Sequence, residues 1–202
     1  RMVKEWKKTI AKKGDKYNEV MNITPQPQAS VTLMDQSTGE IKAMVGGRGA
    51  KGSSLSLNRA YKGAKRQPGS TFKVLAAYAP AIDACGKTLS STVVDEPYSY
   101  KNGKSVRNAS RSYKGTVTYR TAIANSINVC AVKVSDEITQ QLGYEYCKDK
   151  FGISTLVKNK EINGKIFSDV NQTLALGGIT EGVYNYQLCA AYASIANGGE
   201  YN

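Results

Sequence analysis

Ser70 and Lys73 are the two residues of this sequence whose types and spacing most directly suggest chemistry, in the run Pro68-Gly69-Ser70-Thr71-Phe72-Lys73. On a helix, residues i and i+3 share a face and lie about 4.5 Å apart along the axis, so the lysine amine can reach the serine hydroxyl. A serine hydroxyl is a poor nucleophile at neutral pH and needs a base beside it. A lysine becomes that base only when burial or a second cation lowers its pKa from about 10.4. The chain contains no histidine, which excludes the Ser-His-Asp triad, the Cys-His pair and every histidine general base. Protons must then be moved by Lys, Glu, Asp or Tyr. S-x-x-K occurs once in the chain, but the spacing alone equally describes a capping serine with a surface lysine one turn on.

A second constellation, Ser126-Ile127-Asn128, follows downstream. Residues i and i+2 do not share a helix face, so both side chains enter one site only if the backbone there bends between two helices. The same S-x-N spacing occurs at Ser56-Leu57-Asn58, and position separates the two. The competing reading of Ser126 and Asn128 is that they only satisfy an interhelical loop.

The elements that must hold these groups can be read from periodicity. Residues from Arg1 to Gln28 read as a basic helical lead-in over Met2 to Lys13, then an extended, proline-bounded linker, so residues 1–28 are taken as a linker or pedestal and 29–202 as the domain. From Ala29 the sequence alternates through Val31 and Leu33, turns at Asp35-Gln36-Ser37-Thr38-Gly39, and resumes at Ile41, Ala43 and Val45, which predicts two antiparallel strands. Residues 50 to 68 read as loop. Pro68-Gly69-Ser70 starts a helix whose Phe72, Val74, Leu75, Ala76, Ala79 and Ile82 sink it into the core, kinked or ended near Pro80. Cys85 to Gly115 reads as irregular structure or short strands. Thr116 or Thr118 caps a helix through Ala124, a second runs past Val134 and Ile138 to about Gly143, and Tyr144 to Phe151 adds another closed at Gly152. After a turn-rich stretch around Asn163-Gly164, Val183 to Ala196 forms a last helix stopped by Asn197-Gly198-Gly199.

Composition narrows the functional classes. A chain of 202 residues with 41% hydrophobic content supports one sizeable core. Its net charge of +12, from 28 basic against 16 acidic residues, suits polyanions such as a membrane face or anionic wall polymers. Nucleic acid lacks the supporting aromatic pattern or zinc-finger spacing. Cys85, Cys130, Cys147 and Cys189 show no CxxC and no histidine partner, so they read as small core hydrophobes, with a disulfide as the competing reading. A zinc site is not expected from them.

Asn58-Arg59-Ala60 followed by Arg66-Gln67-Pro68-Gly69-Ser70-Thr71-Phe72-Lys73 closely resembles the active-serine segment of the class A penicillin-binding proteins, N-R-A then R-x-P-G-S-x-F-K. Val31 to Asp35 with Gly39 to Arg48 resembles the family's opening hairpin. Tyr113-Lys114-Gly115 with Thr121 to Asn128 resembles its second motif, and Leu176-Gly177-Gly178 with Ala191-Tyr192-Ala193 and Ala196 to Gly199 resembles its later helix. The resemblance implies an α/β (α+β) fold, an antiparallel sheet flanked by helices as in serine transpeptidases and β-lactamases, incomplete in this chain. It implies a D,D-transpeptidase in which Ser70 is the nucleophile, Lys73 handles its proton, Ser126 relays a proton to the leaving group and Asn128 bonds lysine and substrate amide. The implied acyl transfer requires no metal or organic cofactor, and the implied partners are D-Ala-D-Ala stem peptides and β-lactams, on the extracytoplasmic side of a membrane reached through an upstream anchor.

The family's third motif, K-T-G, is absent from the chain. This piece is therefore expected to be inactive until a downstream segment or a second polypeptide supplies that motif. Two other functions remain open: a hydrolase of the same superfamily, either a D,D-carboxypeptidase or a β-lactamase, and a non-catalytic β-lactam sensor or wall-binding module.

Overall fold

The computed structural model describes residues 27–50 and 54–201 and, for the backbone alone, two strands near the start of the chain. Those strands, β1 (Met2–Lys7) and β2 (Val20–Pro25), pair antiparallel with Met2 opposite Pro25 and Lys7 opposite Val20. The helical lead-in expected over Met2 to Lys13 is thus corrected for its first half, and Lys8 to Lys13 lie outside the described residues. The lysine run drew the helical reading, whereas Val3, Trp6, Val20, Ile23 and Thr24 are strand formers that a pairing partner can satisfy.

The expected hairpin is present as β3 (Val31–Met34) and β4 (Ile41–Val45), antiparallel, with a register shift between Leu33 and Met34. Asp35 shapes the turn, its carboxylate accepting bonds from the Ser37 backbone N–H and hydroxyl. Thr32 faces the last helix, where its hydroxyl donates to Asn185 Oδ1 at 2.6 Å. The apolar stripe Val31, Leu33, Ile41 and Val45 points the other way and is exposed.

The segment that begins at Gly69 is the axis of the molecule. A 3₁₀ turn at Gly69–Thr71 leads through Phe72 and Lys73 into a π-helical stretch, Val74–Tyr78, and then α1 (Ala79–Ala84). Pro80 has no N–H to offer the Ala76 carbonyl, and the wider π turn just before it, closed by Ala79 N–H to Val74 O, carries the helix through without an end. One side of this axis, Phe72, Leu75 and Ala76, packs with Cys147, Ile153, Leu156, Leu174 and Ala191. The other side, Ala77, Tyr78 and Ala81, packs with Tyr119, Ala122, Ile127, Cys130 and Val134. Most of these side chains are fully buried, so truncating one such as Phe72 to alanine costs about 3–5 kcal/mol.

Short antiparallel pairs fill the expected irregular stretch: β5 (Thr92–Asp95) with β8 (Gly115–Thr118), and between them β6 (Tyr98–Ser99) with β7 (Ser105–Val106). Then come α2 (Tyr119–Ala124), capped by the Thr118 hydroxyl, and α3 (Asn128–Ile138). The helix expected to reach Gly143 breaks earlier, at Thr139 with φ 75°, whose hydroxyl caps α4 (Gln140–Glu145). A π-helical turn, Tyr146–Lys150, follows and ends before Gly152. The turn-rich stretch is a hairpin, β9 (Lys160–Ile162) and β10 (Lys165–Phe167), closed by Asn163 and Gly164, both at positive φ. A 3₁₀ helix at Gln172–Leu176 precedes the last helix, α5 (Asn185–Ala196). The sheets are thus antiparallel pairs around a helical core. Among the described residues no helix is long and apolar enough to cross a membrane.

Candidate active site

Ser70 sits at the mouth of the buried axis and Lys73 one turn inside it. Gly69, at φ 56°, turns the chain into the 3₁₀ start, and the space where its side chain would stand is open. The segment ahead of the serine is gripped from behind. Gln67 makes a two-way amide clasp with Ile179, donating Nε2–H to the carbonyl at 2.5 Å and accepting the N–H at 2.9 Å. Arg66 and Val183 exchange backbone bonds at 3.0 and 2.8 Å. Gly177, in the left-handed region at φ 71°, lies so close to Gly69 that a Cβ there would collide with its backbone. Buried Asp169 steadies the gripping loop, accepting from the Thr180 N–H and hydroxyl, each at 2.7 Å, and from Val157 N–H at 2.8 Å.

Ser70 is exposed. Lys73 is 3% exposed, and its Nζ donates to Ser126 O at 2.5 Å, Ser126 Oγ at 2.9 Å and Asn128 Oδ1 at 2.6 Å. An ammonium has three donors, and these acceptors use all of them. Ser70 is not among the partners of Lys73, so the direct amine–hydroxyl bond that the i, i+3 spacing permits is not made here. The amine instead turns toward the start of α3.

Burial lowers the Lys73 pKa from 10.5 to about 8, with Cys130 acting weakly in the opposite direction. The same burial pushes the neighbouring Cys130 thiol up to about 12. All four cysteines are free: Cys130 and Cys147 are buried core residues, Cys189 is half-buried, and Cys85 is exposed at the end of α1.

The backbone bend that the S-x-N spacing requires is present. Ser126, at φ 51°, separates α2 from α3, with Ser126 N–H bonded to Ile123 O and Ile127 N–H to Ala122 O, both at 3.0 Å. The structure therefore brings Lys73, Ser126 and Asn128 into direct contact and leaves Ser70 at the same helix start. Ser56 and Asn58, the rival match, lie elsewhere: Asn58 closes a turn against the β4 exit, with Arg59 N–H bonded to Gly46 O. The 126–128 bend is held by groups the sequence did not single out. Asn128 Nδ2 donates to Arg107 O at 2.7 Å, Asn108 Oδ1 accepts Val129 N–H at 3.1 Å, and buried Asp95 accepts from Asn108 Nδ2 at 2.8 Å. Asp95 closes the apolar strand Thr92-Val93-Val94, and an acid at the end of such a strand is the one sequence signal that pointed to it. Among the described residues no group of three or more His, Cys, Asp or Glu is arranged to hold a metal.

A family model for the penicillin-binding protein transpeptidase domain matches residues 29–202. Penicillin-binding protein 1A of Clostridium tetani is 36% identical over 181 residues, covering 86% of this chain and 22% of its own length. Penicillin-binding protein 1A/1B of Bacillus subtilis is 29% identical over 198 residues, covering 95% of this chain and 20% of its own. The chain thus spans about a fifth of the length of these relatives. Among solved structures, penicillin-binding protein 1A of Haemophilus influenzae aligns with a TM-score of 0.66 at 25% identity, covering 83% of this chain and 23% of that one. The Mycobacterium tuberculosis protein PonA1, in complex with penicillin V, aligns with a TM-score of 0.67 at 23% identity over 84% of this chain and 43% of that one, a likeness of fold. With the match running from the opening hairpin through both motifs to the last helix, the chain belongs to the penicillin-binding protein transpeptidase domain family.

Proposed function

We propose that this chain carries the nucleophile, the base and the proton relay of a peptidoglycan D,D-transpeptidase. The observation that supports it most is a buried lysine of lowered pKa, held by Ser126 and Asn128, one helical turn from an exposed serine. In the resting state the Lys73 ammonium spends its three protons on its three acceptors. Once deprotonated, it has two donors and a lone pair, and accepts a proton from the Ser70 hydroxyl as Oγ attacks the D-Ala-D-Ala carbonyl.

The tetrahedral intermediate collapses by breaking the amide C–N bond. Ser126, bonded to Lys73, passes the proton to the leaving nitrogen, and terminal D-Ala departs. An amine on a neighbouring stem peptide then attacks the Ser70 ester and takes the acyl group. A β-lactam follows the first half only: its ring C–N bond opens and the product stays on Ser70. Asn128, oriented through its own amide, holds Lys73 and the substrate amide.

On this reading a Lys-Thr-Gly segment, the family's third motif, completes the cleft and supplies oxyanion and carboxylate contacts. The exposed apolar stripe Val31, Leu33, Ile41 and Val45 supports such completion, because an uncovered sheet face of this kind marks a packing surface. On the same reading residues 1–28 lead toward a preceding domain and membrane anchor, with the site outside the cytoplasm.

The test is labelling by fluorescent penicillin in the protein completed with K-T-G. Ser70→Ala abolishes the label, whereas unchanged labelling contradicts the role given to Ser70. An adduct that turns over within seconds would instead favour the hydrolase reading.

A further inference from the structure

α3 starts without a capping side chain of its own. Ile127 occupies the N-cap position, so the orphan N–H of Val129, which a Ser, Thr, Asp or Asn at that position would normally accept, has no local partner. Asn108, on the loop between β7 and β8, fills the role from 21 residues away, its Oδ1 accepting Val129 N–H at 3.1 Å. The adjacent Arg107 carbonyl accepts Asn128 Nδ2 at 2.7 Å, and this orients the Asn128 amide so that its oxygen, not its nitrogen, meets Lys73. Two consecutive loop residues thus hold the first two residues of α3.

The loop is in turn fixed from the core. Asp95 is 1% exposed, and a carboxylate persists at such a site only when its oxygens are bonded. One oxygen accepts Asn108 Nδ2 at 2.8 Å and the other accepts Lys114 N–H at 3.0 Å, closing the loop at both ends. Asn108 Nδ2 also donates to Ser112 O at 3.1 Å, so the whole amide is committed.

We infer that Asn108, anchored by Asp95, is a positioning residue for Ser70 acylation: it caps α3 from outside and so sets where Asn128 and Ser126 present their oxygens to Lys73. The inference rests on the catalytic reading proposed above. Neither residue touches the reacting atoms, and both act through the second motif.

The experiment uses the protein that carries this chain together with its K-T-G segment, and separates noncovalent penicillin affinity from the first-order acylation rate by stopped flow. Asn108→Ala is expected to lower the acylation rate about 100-fold, the scale of a small misplacement of a catalytic group, with the noncovalent dissociation constant changed less than about twofold. Asn108→Asp sets a second carboxylate against Asp95 and gives a similar loss. Adding Asp95→Asn to it restores the donor–acceptor bond across the pair but leaves the Ser112 carbonyl facing a carboxylate, so the rate recovers in part, to at least about tenfold above that of Asn108→Asp alone.

An acylation rate in Asn108→Ala within threefold of the parent overturns the positioning role, as does a loss confined to affinity. If Asn108→Ala does not fold, the reciprocal exchange decides alone: a folded double variant no faster than Asn108→Asp overturns it. Ser70→Ala is the parallel control. Persistent labelling there defeats the catalytic reading itself, whereas Ser70-dependent labelling with an unaffected Asn108→Ala defeats only this inference.

Discussion

Changing the proton concentration around Lys73 perturbs the site most directly, because the structure fixes the size of the effect. Burial lowers the lysine from 10.5 to about 8. At about pH 7 roughly 9% of molecules then carry the neutral amine, against roughly 0.03% for an unperturbed lysine, a gain of about 300-fold in competent base. On the proposed reading, a cation brought by a completing K-T-G segment would lower the value further.

The assay is the rate of Ser70 acylation by a β-lactam between about pH 6 and 10. The rate is expected to rise about tenfold per unit and to level off at or below about pH 8. Lys73→Arg, which stays protonated throughout, lowers the plateau by about 10²–10⁴-fold, the range for loss of a general base. A profile that still climbs tenfold per unit beyond about pH 9.5 would show that Lys73 titrates as a free lysine and would refute the reasoning.

Other consequences are open to measurement. The unfolded chain binds more protons at position 73 than the folded one between about pH 8 and 10.5. The cost of burying the ammonium is therefore fully present below 8 and is relieved as pH rises to 10.5, by at most about 3 kcal/mol. Denaturant titrations of the parent should show this upward slope and those of Lys73→Met should lack it; equal slopes argue against a buried charge. Gly177→Ala adds a Cβ against the Gly69 backbone at a left-handed position. It should cost about 1–3 kcal/mol in chemical denaturation and slow acylation, and a neutral result removes the grip described for the serine segment. In the folded protein a thiol reagent should modify Cys85 in seconds to minutes and Cys130 and Cys147 only on unfolding, read by mass spectrometry. Rapid modification of Cys130 would contradict the packing under Lys73.

The elements that carry local signals were legible in the sequence. S-x-x-K on an apolar helix start, a bend at S-x-N, the Thr118 cap and the glycine stop after Ala196 each depend on neighbours a few residues apart, and each is where the sequence puts it. The failures are of two physical kinds. Some are local signals outweighed by others: the lysine run hid the β1 strand, and Asn163-Gly164 is a hairpin turn whose flanks, Lys160-Glu161-Ile162 and Lys165-Ile166-Phe167, lack clean alternation. Thr139, a β-branched residue at positive φ, breaks an unbroken apolar period without any glycine or proline to announce it.

The others are long-range. The Asn108 cap on α3, the Gln67–Ile179 clasp and the fit of Gly177 against Gly69 join residues that only the tertiary fold makes adjacent, so no window of sequence contains both partners. The i, i+3 rule placed Lys73 beside Ser70 correctly as to turn, but three acceptors at the start of α3 outweigh one hydroxyl for its protons. The candidate site residues that the structure brings together, Lys73, Ser126 and Asn128, could therefore be named from sequence, whereas the groups that hold them could not.

The most direct test of the central claim is peptide mass spectrometry after incubation with penicillin, in the protein completed with its K-T-G segment. Cleavage after Arg66 and Lys73 releases the peptide 67–73, in which Ser70 is the only serine. The account predicts one penicilloyl group on that peptide, at Ser70, and accumulation at least about 100-fold slower in Lys73→Arg. An adduct on another peptide, or undiminished acylation of Ser70 in Lys73→Arg, contradicts it.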